Sequence, residues 1–304
     1  MSDEVIGYLL ALASLVSFTA SIMVTRLATP FMSMGLGFVV STTVNVIVAG
    51  FLVLLQQIWR AHPIGWHAQA FWLFAAAGVC ATFMGRWLFY EAVARFGPER
   101  TSVFQIGIPV FTAALAWLLF DERLSAPALL GMGMAVTGLM IVGYKRGANA
   151  PRSPTGQLSV VHSLLALGFG SSLAYASGNL MRGYAVREWP EPVVGALVGA
   201  VAGLILHLAV TPGKRDLLQQ LMRASRRGFW LFVVVGMGNI GGQVFMIGAM
   251  RHIEISVAVL LTMCTPLLVF PLSRWMFANS EPWTFKLIGG SLLAMAGVVL
   301  VVLR

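Results

Sequence analysis

Apolar residues fall into ten long runs along the chain, and short polar segments separate these runs. Within a run such as Ile47–Leu55 the apolar residues do not alternate with polar ones, so the pattern excludes the strands of a membrane β-barrel. The pattern predicts an all-α polytopic membrane protein, because each run is long enough for a helix to cross a bilayer. Windows of about 19 residues place ten transmembrane helices at 5–25, 33–57, 70–91, 101–120, 126–144, 160–184, 193–210, 229–250, 256–277 and 284–303.

The composition supports a membrane location. Of the 304 residues, 58% are apolar and 10% are charged, and the mean hydropathy is +0.85, whereas a soluble domain carries about 25% charged residues. Soluble, disordered and disulfide-rich classes are therefore excluded. The net charge of +9 does not indicate nucleic-acid binding, because the basic residues lie singly or in short groups between apolar runs. We expect a multi-pass protein of the plasma membrane, the inner membrane of a bacterium, without a removable signal peptide.

An internal repeat divides the chain into two similar halves. The segment Phe71–Phe74 recurs as Phe229–Phe232. The first half covers residues 1–144, a linker rich in proline, glycine and serine covers 145–159, and the second half covers 160–304. Each half holds five predicted helices, an odd number, so the second copy enters the membrane from the opposite face. Two inverted five-helix repeats are typical of secondary transporters, which bind substrate between the repeats.

Two prolines occupy matching places in the fourth and ninth predicted helices, namely Pro109 and, 157 residues later, Pro266. Each proline removes a backbone hydrogen-bond donor from its helix. Paired interruptions in inverted repeats indicate helices that break around a central cavity and take part in gating. The alternative is a pair of kinks that serve helix packing alone.

Arg86 lies well inside the third predicted helix, where an arginine is costly unless it pairs or reaches water. The repeat places Val244 at the equivalent position of the second half, so the scaffold itself does not require a charge there. We therefore predict that Arg86 attracts a substrate carboxylate or acts in gating. The alternative is that its long side chain extends to the lipid headgroups or to Glu91.

Further polar and aromatic residues share helix faces at helical spacing. The aromatic side chains would contact the body of a substrate, and the amide side chains would fix its polar groups. Hydrogen bonding between helices is the alternative role for each, because buried polar groups in lipid must find partners. The substrate-binding candidates besides Arg86 are Trp87, Tyr90, Gln105, Tyr175, Asn179, Asn239 and Gln243.

Acidic residues are absent from the middle of every predicted helix. A proton-driven exporter of cations normally needs an embedded carboxylate, so the sequence argues against that activity. The chain also lacks the motifs of phosphate-binding loops, hydrolases and metal sites, so we expect no enzyme activity, no cofactor and no metal. The expected partners are a small-molecule substrate and the lipid bilayer.

Glycines are dense in the fifth, eighth and tenth predicted helices. Small residues at such spacings let helices approach closely in lipid, and in helices five and ten they also suggest a homodimer contact. The eighth helix contains G-x-G-x-x-G at 236–241, but this apolar segment follows no strand, so we interpret it as helix packing rather than nucleotide binding. The glycines of helices five and ten are Gly131, Gly133, Gly138, Gly289, Gly290 and Gly297.

The tripeptide Glu122–Leu124, followed by Gly131 and Gly138, recurs loosely in the second half from Glu281. Together with the inverted duplication, this pattern resembles the EamA-type drug/metabolite transporters over nearly the whole chain. The resemblance implies a secondary carrier that moves amino acids or other small metabolites, often outward, by alternating access. The YddG-like amino acid exporters are members of this family. The carboxylate that related small multidrug-resistance exporters carry in their first helix has no match here.

Two functions from other classes stay open on the sequence alone. One is a channel or facilitator, and the other is a membrane scaffold protein that transports nothing. The membrane orientation is also open, because the resemblance places both termini in the cytoplasm whereas the positive-inside rule places them outside. The second assignment rests on only six of the 20 basic residues lying on the side of the N-terminus, and these six are Arg60, Arg123, Arg182, Arg187, Arg251 and Arg304.

Overall fold

The computed structural model describes residues 2–60, 63–96, 104–121, 123–143, 157–210, 214–276 and 285–302, and over these residues it contains helices and no strands. The predicted all-α class is therefore confirmed. The elements are α1 (Asp3–Ala28), α2 (Met34–Trp59), α3 (Ala68–Ala77), a π-helix (Gly78–Gly85), α4 (Arg86–Phe96), α5 (Ile108–Phe120), α6 (Ala126–Gly143), α7 (Gln157–Glu188), α8 (Pro192–Val210), α9 (Lys214–Arg223), α10 (Arg226–Ala249), α11 (Ile255–Met263), α12 (Thr265–Met276) and α13 (Phe285–Val302).

Several helices are apolar enough to cross a membrane, as a multi-pass membrane protein requires. Shorter apolar helices occur at 108–120, 126–141, 255–269 and 288–301, and the total of ten spans stays a prediction. Glu122, Glu281 and most of the predicted linker lie outside the described residues. Within the described part of the chain, five helices meet both the length and the hydropathy expected of a span, and these are Asp3–Ala28, Met34–Trp59, Ala68–Phe89, Pro192–Val210 and Arg226–Ala249.

The fourth and ninth predicted helices are each interrupted beside a proline. In the fourth, a turn at residues 106–107 precedes α5, and Pro109 occupies the first turn of that helix. In the ninth, Cys264 separates α11 from α12, and Pro266 is the second residue of α12. Proline is tolerated in a first helical turn because the backbone donor it lacks has no partner there. The two breaks therefore lie at equivalent places of the two halves.

The third predicted helix is divided by a π-helical segment that the sequence pattern does not reveal. Glycines bring this segment close to α8. A Cβ atom added to Gly78 would lie 2.7 Å from the Cα atom of Gly199, and one added to Gly203 would lie 2.7 Å from the Cβ atom of Thr82. Segments of π-helix occur often at functional sites, and this one ends immediately before Arg86.

The glycine-rich helices α6 and α13 pack against each other within the chain. A Cβ atom added to Gly131 would lie 2.7 Å from Cγ2 of Val301, and one added to Gly297 would lie 3.0 Å from the Cα atom of Ala135. Gly133, by contrast, has open space around its Cα atom. The close helix packing expected of these glycines is therefore present inside one chain, and a homodimer contact through the same helices stays a prediction.

The glycine motif of α10 serves helix packing, as interpreted from the sequence. A Cβ atom added to Gly236 would lie 2.7 Å from the backbone oxygen of Ser41 in α2. The Ser14 hydroxyl of α1 donates a hydrogen bond of 2.8 Å to the backbone oxygen of Gly242. Helices α1 and α2 from the first half thus lie directly against α10 from the second half, and this contact between halves forms one wall of a cavity.

Candidate functional site

A cavity of about 170 Å³ lies between the two halves of the chain. Helices α1, α2 and α4 contribute to it from the first half, and α7 and α10 contribute from the second. Its position is therefore the one expected of a substrate site in a duplicated transporter. The lining residues are Thr25, Met34, Phe38, Ser41, Arg86, Phe89, Tyr175, Phe232, Val235 and Asn239.

Arg86 is the charged residue of this lining, and aromatic rings surround it. Its guanidinium carbon lies 4.5 Å from the centroid of the Phe38 ring, a cation–π distance. The ring of His207 packs edge-on against Phe38, with the ring centroids 4.4 Å apart. No carboxylate of the described residues lies within ion-pair distance of Arg86. The structure thus directs Arg86 into the cavity rather than towards Glu91.

Arg182 of α7 is a second buried cation beside this cavity. It is 5% exposed, and its guanidinium donates hydrogen bonds to the Thr82 hydroxyl at 3.2 Å and to the Asn179 amide oxygen at 3.4 Å. The assignment of Arg182 to one membrane face in the charge count is therefore wrong, because the side chain lies inside the bundle. The spacing of Tyr175, Asn179 and Arg182 along one helix face predicts this inward position, in conflict with the charge count.

The other predicted site residues divide between the cavity, the helix contacts and the outer surface. Tyr175 and Asn239 line the cavity with Arg86. Gln243 lies one turn beyond Asn239 and is 6% exposed, and its amide oxygen has no hydrogen-bond partner among the described residues. This oxygen is a buried acceptor that a substrate donor would satisfy.

Two predicted site residues, Gln105 and Trp87, lie away from the cavity. Gln105 donates a hydrogen bond of 3.1 Å to the Ser171 hydroxyl, which in turn donates one of 2.8 Å to the backbone oxygen of Gly85. Trp87 is 54% exposed on the outside of the bundle and does not line the cavity. The side chain of Tyr90 lies outside the described residues.

Polar contacts join the two halves at the end of the bundle farthest from the cavity. Arg60, which follows α2, forms an ion pair with Glu191, which precedes α8. The Gln56 amide donates a second hydrogen bond of 2.9 Å to Glu191. Asp3 and His252 also meet across the halves, with Oδ1 and Nδ1 2.8 Å apart.

These polar contacts lie a membrane thickness away from the cavity. Thr25 lines the cavity near the last turn of α1, whereas Asp3 begins that helix. Since a helix rises about 1.5 Å per residue, the 22 residues between them span about 33 Å. The structure therefore has a cavity towards one end and polar contacts between the halves, among them the Arg60–Glu191 ion pair, at the other.

Comparison with known proteins identifies the family. The EamA-like transporter family matches the chain twice, over residues 5–144 and 162–303. The chain belongs to the EamA-like transporter family. Members of this family are membrane transporters of the drug/metabolite transporter superfamily and are not enzymes. The two matches are two copies of one domain, so the duplication predicted from the sequence is confirmed.

A likeness to a solved structure supports the same fold. A protein known from a crystal structure superimposes with a TM-score of 0.73 over 97% of this chain and 95% of its own, at 15% sequence identity. At this identity the likeness concerns the fold alone. No curated protein matches the chain in sequence.

Proposed function

We propose that this EamA-family transporter exports small carboxylate-bearing metabolites, with amino acids among the candidates, across the inner membrane of a bacterium. The observation that carries the proposal is the position of Arg86 in a cavity built by both repeats. A guanidinium group binds carboxylates through paired, charge-assisted hydrogen bonds. The cavity of about 170 Å³ is smaller than the pockets of about 300–1,000 Å³ that hold drug-sized ligands, which favours a small molecule.

The arrangement of the two ends supports transport by alternating access through ten spans. The cavity and the polar contacts between the halves occupy opposite ends of the bundle, as in a carrier that is closed at one end. Closing the cavity and opening the other end requires Arg60 and Glu191 to separate. The helix breaks beside Pro109 and Pro266 lie at equivalent places in the two halves, where paired breaks accompany such rearrangements in other inverted repeats.

The test is substrate counterflow into liposomes that contain the purified protein. A panel of amino acids and small organic acids is offered on one side, and labelled uptake is measured against an internal pool of the same compound. We expect saturable counterflow, and we expect Arg86→Ala to weaken the apparent affinity for the active compound by about tenfold to a hundredfold. Arg86→Lys should lose less, because it keeps the charge but not the planar pair of donors.

A matched variant and the form of the flux decide the result. Arg123→Ala removes an equal charge whose side chain is 77% exposed, and it should leave the apparent affinity unchanged. Unchanged affinity in Arg86→Ala would refute the role of Arg86. Flux that neither saturates nor shows counterflow would identify a channel instead. In intact cells, transport of the compound into the cytoplasm that is faster than transport out of it would contradict export.

A further inference from the structure

We propose that Arg182 forms a second anion-binding site on the same transport path, and that the substrate is a small organic dianion rather than a zwitterionic amino acid. This inference rests on the proposed transport function and narrows the class of substrate. Dicarboxylates and phosphorylated acids share the required chemistry, namely two anionic groups on one small molecule. Arg86 would hold one group in the cavity, and Arg182 would hold the other.

The hydroxyl that Arg182 contacts lies about one helical turn before Arg86. Arg182 donates to Thr82, and Thr82 precedes Arg86 by four residues in the same continuous stretch of helix. A rise of about 1.5 Å per residue puts these two positions about 6 Å apart along the axis. Two guanidinium groups that approach each other in surroundings of low polarity repel each other electrostatically. A ligand with two anionic groups would reduce this repulsion at both ends.

Neither arginine has an acidic partner within the described part of the chain. The two hydrogen-bond acceptors of Arg182 are a hydroxyl and an amide, both neutral. The same chain shows what a neutralised arginine looks like, because Arg60 pairs directly with the buried carboxylate of Glu191. A buried charge without a counter-ion is strongly unfavourable. The arrangement around Arg182 is therefore suited to an anion that arrives with the substrate.

One face of α7 leads from the cavity towards Arg182. Tyr175, Asn179 and Arg182 follow one another at spacings of four and three residues along α7, which places them on a common face. Tyr175 lines the cavity, and its ring lies against Gly85, where an added Cβ atom would be 3.0 Å from the ring. Arg182 is absent from the lining. A dianion that reaches both arginines therefore has to extend beyond the cavity lining, from Arg86 towards Arg182.

The charge of the cavity disfavours a zwitterion. An amino acid would bring a positively charged ammonium group next to Arg86 and near Arg182, and both arginines would repel it. None of the ten lining residues is acidic, so no lining carboxylate compensates that group. The unpartnered buried acceptors of the described residues include the Gln243 amide oxygen, one turn beyond the lining residue Asn239, and this oxygen suits a hydroxyl substituent as well as an amine.

The test compares three four-carbon probes that differ in charge with one phosphorylated acid. Succinate is the dianion, butyrate the monoanion and 2-aminobutyrate the zwitterion, and the three-carbon 3-phosphoglycerate, with one carboxylate and one phosphate, represents phosphorylated acids. Binding to the purified full-length protein is measured by thermal stabilisation over a concentration series, and transport by counterflow in liposomes. We expect succinate or 3-phosphoglycerate to bind about tenfold or more tightly than butyrate and 2-aminobutyrate, since one charge-assisted contact is lost in the weaker probes.

Variants of Arg182 connect this preference to the proposed site. Arg182→Gln should weaken dianion binding by about tenfold to a hundredfold and leave butyrate binding unchanged, which removes the preference. Arg182→Lys should keep part of the preference because it keeps the charge. Arg187→Gln is the matched control on the same helix, since Arg187 donates to the backbone oxygens of Met250 and Ile253 and should retain the preference.

A stability measurement separates a binding role from a structural one. In the absence of ligand, Arg182→Gln should unfold at the same temperature as the wild type or higher, because it removes a buried charge without a counter-ion. A large drop in unfolding temperature, not rescued by Arg182→Lys, would identify a structural arginine and overturn the proposal. Binding of 2-aminobutyrate as tight as that of succinate would also overturn it.

The outcome distinguishes this inference from the proposed function. Amino acid counterflow that requires Arg86 but not Arg182 would refute the dianion while leaving the transport function intact. If none of the probes or amino acids gives counterflow, both the dianion and the transport function are refuted.

Discussion

Replacing Glu191 with glutamine should favour opening of the end of the bundle where the Arg60–Glu191 ion pair joins the two halves. Glu191 pairs with Arg60 and accepts a hydrogen bond from Gln56, and these contacts join the first half to the second. The substitution removes the negative charge and keeps a side chain of the same size that Gln56 can still contact. The loss should therefore fall mainly on the ion pair with Arg60.

The magnitude follows from the exposure of the two partners. The Glu191 side chain is 9% exposed, whereas that of Arg60 is 40% exposed. Breaking a buried pair costs about 3–5 kcal/mol, and an exposed pair contributes about 0.2–1 kcal/mol. A pair with one buried and one solvated partner should contribute about 1–2 kcal/mol, which corresponds to about a 5- to 30-fold change in the ratio of closed to open molecules.

Distances between spin labels at this end measure that ratio. Trp59 is 86% exposed beside Arg60, and Arg251 is exposed in the second half, so cysteines at these two positions report the separation of the halves. Native Cys80 and Cys264 are replaced by alanine in the background. We expect Glu191→Gln to increase the fraction of long distances.

A control and a double-mutant cycle make the result decisive. Glu188→Gln makes the same chemical change at an exposed position at the end of α7 and should leave the distances unchanged. Arg60→Gln should act like Glu191→Gln, and the double variant should add little to either, because both remove one interaction. Identical distance distributions in the wild type and in Glu191→Gln would show that the ion pair does not hold this end closed.

Two further predictions concern the helix contacts. Gly131→Ala should lower the free energy of unfolding in detergent by about 1–3 kcal/mol, because the new Cβ atom would lie 2.7 Å from Val301. Gly133→Ala is the control in open space on the same helix and should not destabilise the protein. Equal effects of the two variants would contradict the packing of α6 on α13. Ser14→Ala should cost about 0.6 kcal/mol, the usual value for a hydrogen bond between membrane helices, because it removes the donor to Gly242; an unchanged unfolding free energy in denaturant titrations would contradict that contribution.

Hydropathy and the repeat predict the helical class and the duplication because lipid imposes strict requirements on the backbone. Every backbone polar group inside a bilayer must be satisfied within a helix or a closed barrel, so long apolar runs leave few alternatives. The paired breaks beside Pro109 and Pro266 follow from the missing proline donor. The π-helix at Gly78–Gly85 does not follow from any such rule, since its glycines are close to α8 only in the folded bundle.

The candidate site was harder to predict because the sequence does not give the rotation of each helix about its axis. Arg86 and Trp87 are adjacent, and neighbouring residues on a helix project about 100° apart, so one narrow cavity could hardly receive both. The structure directs Arg86 inward and leaves Trp87 54% exposed. Arg182 shares a helix face with Tyr175 and Asn179, and this spacing predicts an inward position, whereas its place near the end of a predicted span suggested the membrane face in the charge count.

The placement of carboxylates distinguishes two pairs of arginines within the described part of the chain. Arg60 and Arg123 each have an acidic partner, Glu191 and Asp121, and both pairs lie outside the long apolar spans. Arg86 and Arg182 lie inside the bundle, and their described contacts are an aromatic ring, a hydroxyl and an amide. A scaffold that needed cations at these two places would be stabilised by acidic neighbours. The neighbours of Arg86 and Arg182 are neutral groups instead of carboxylates. The positive charge of the two arginines is therefore available to an anion, which is the property that a carrier of anionic metabolites requires.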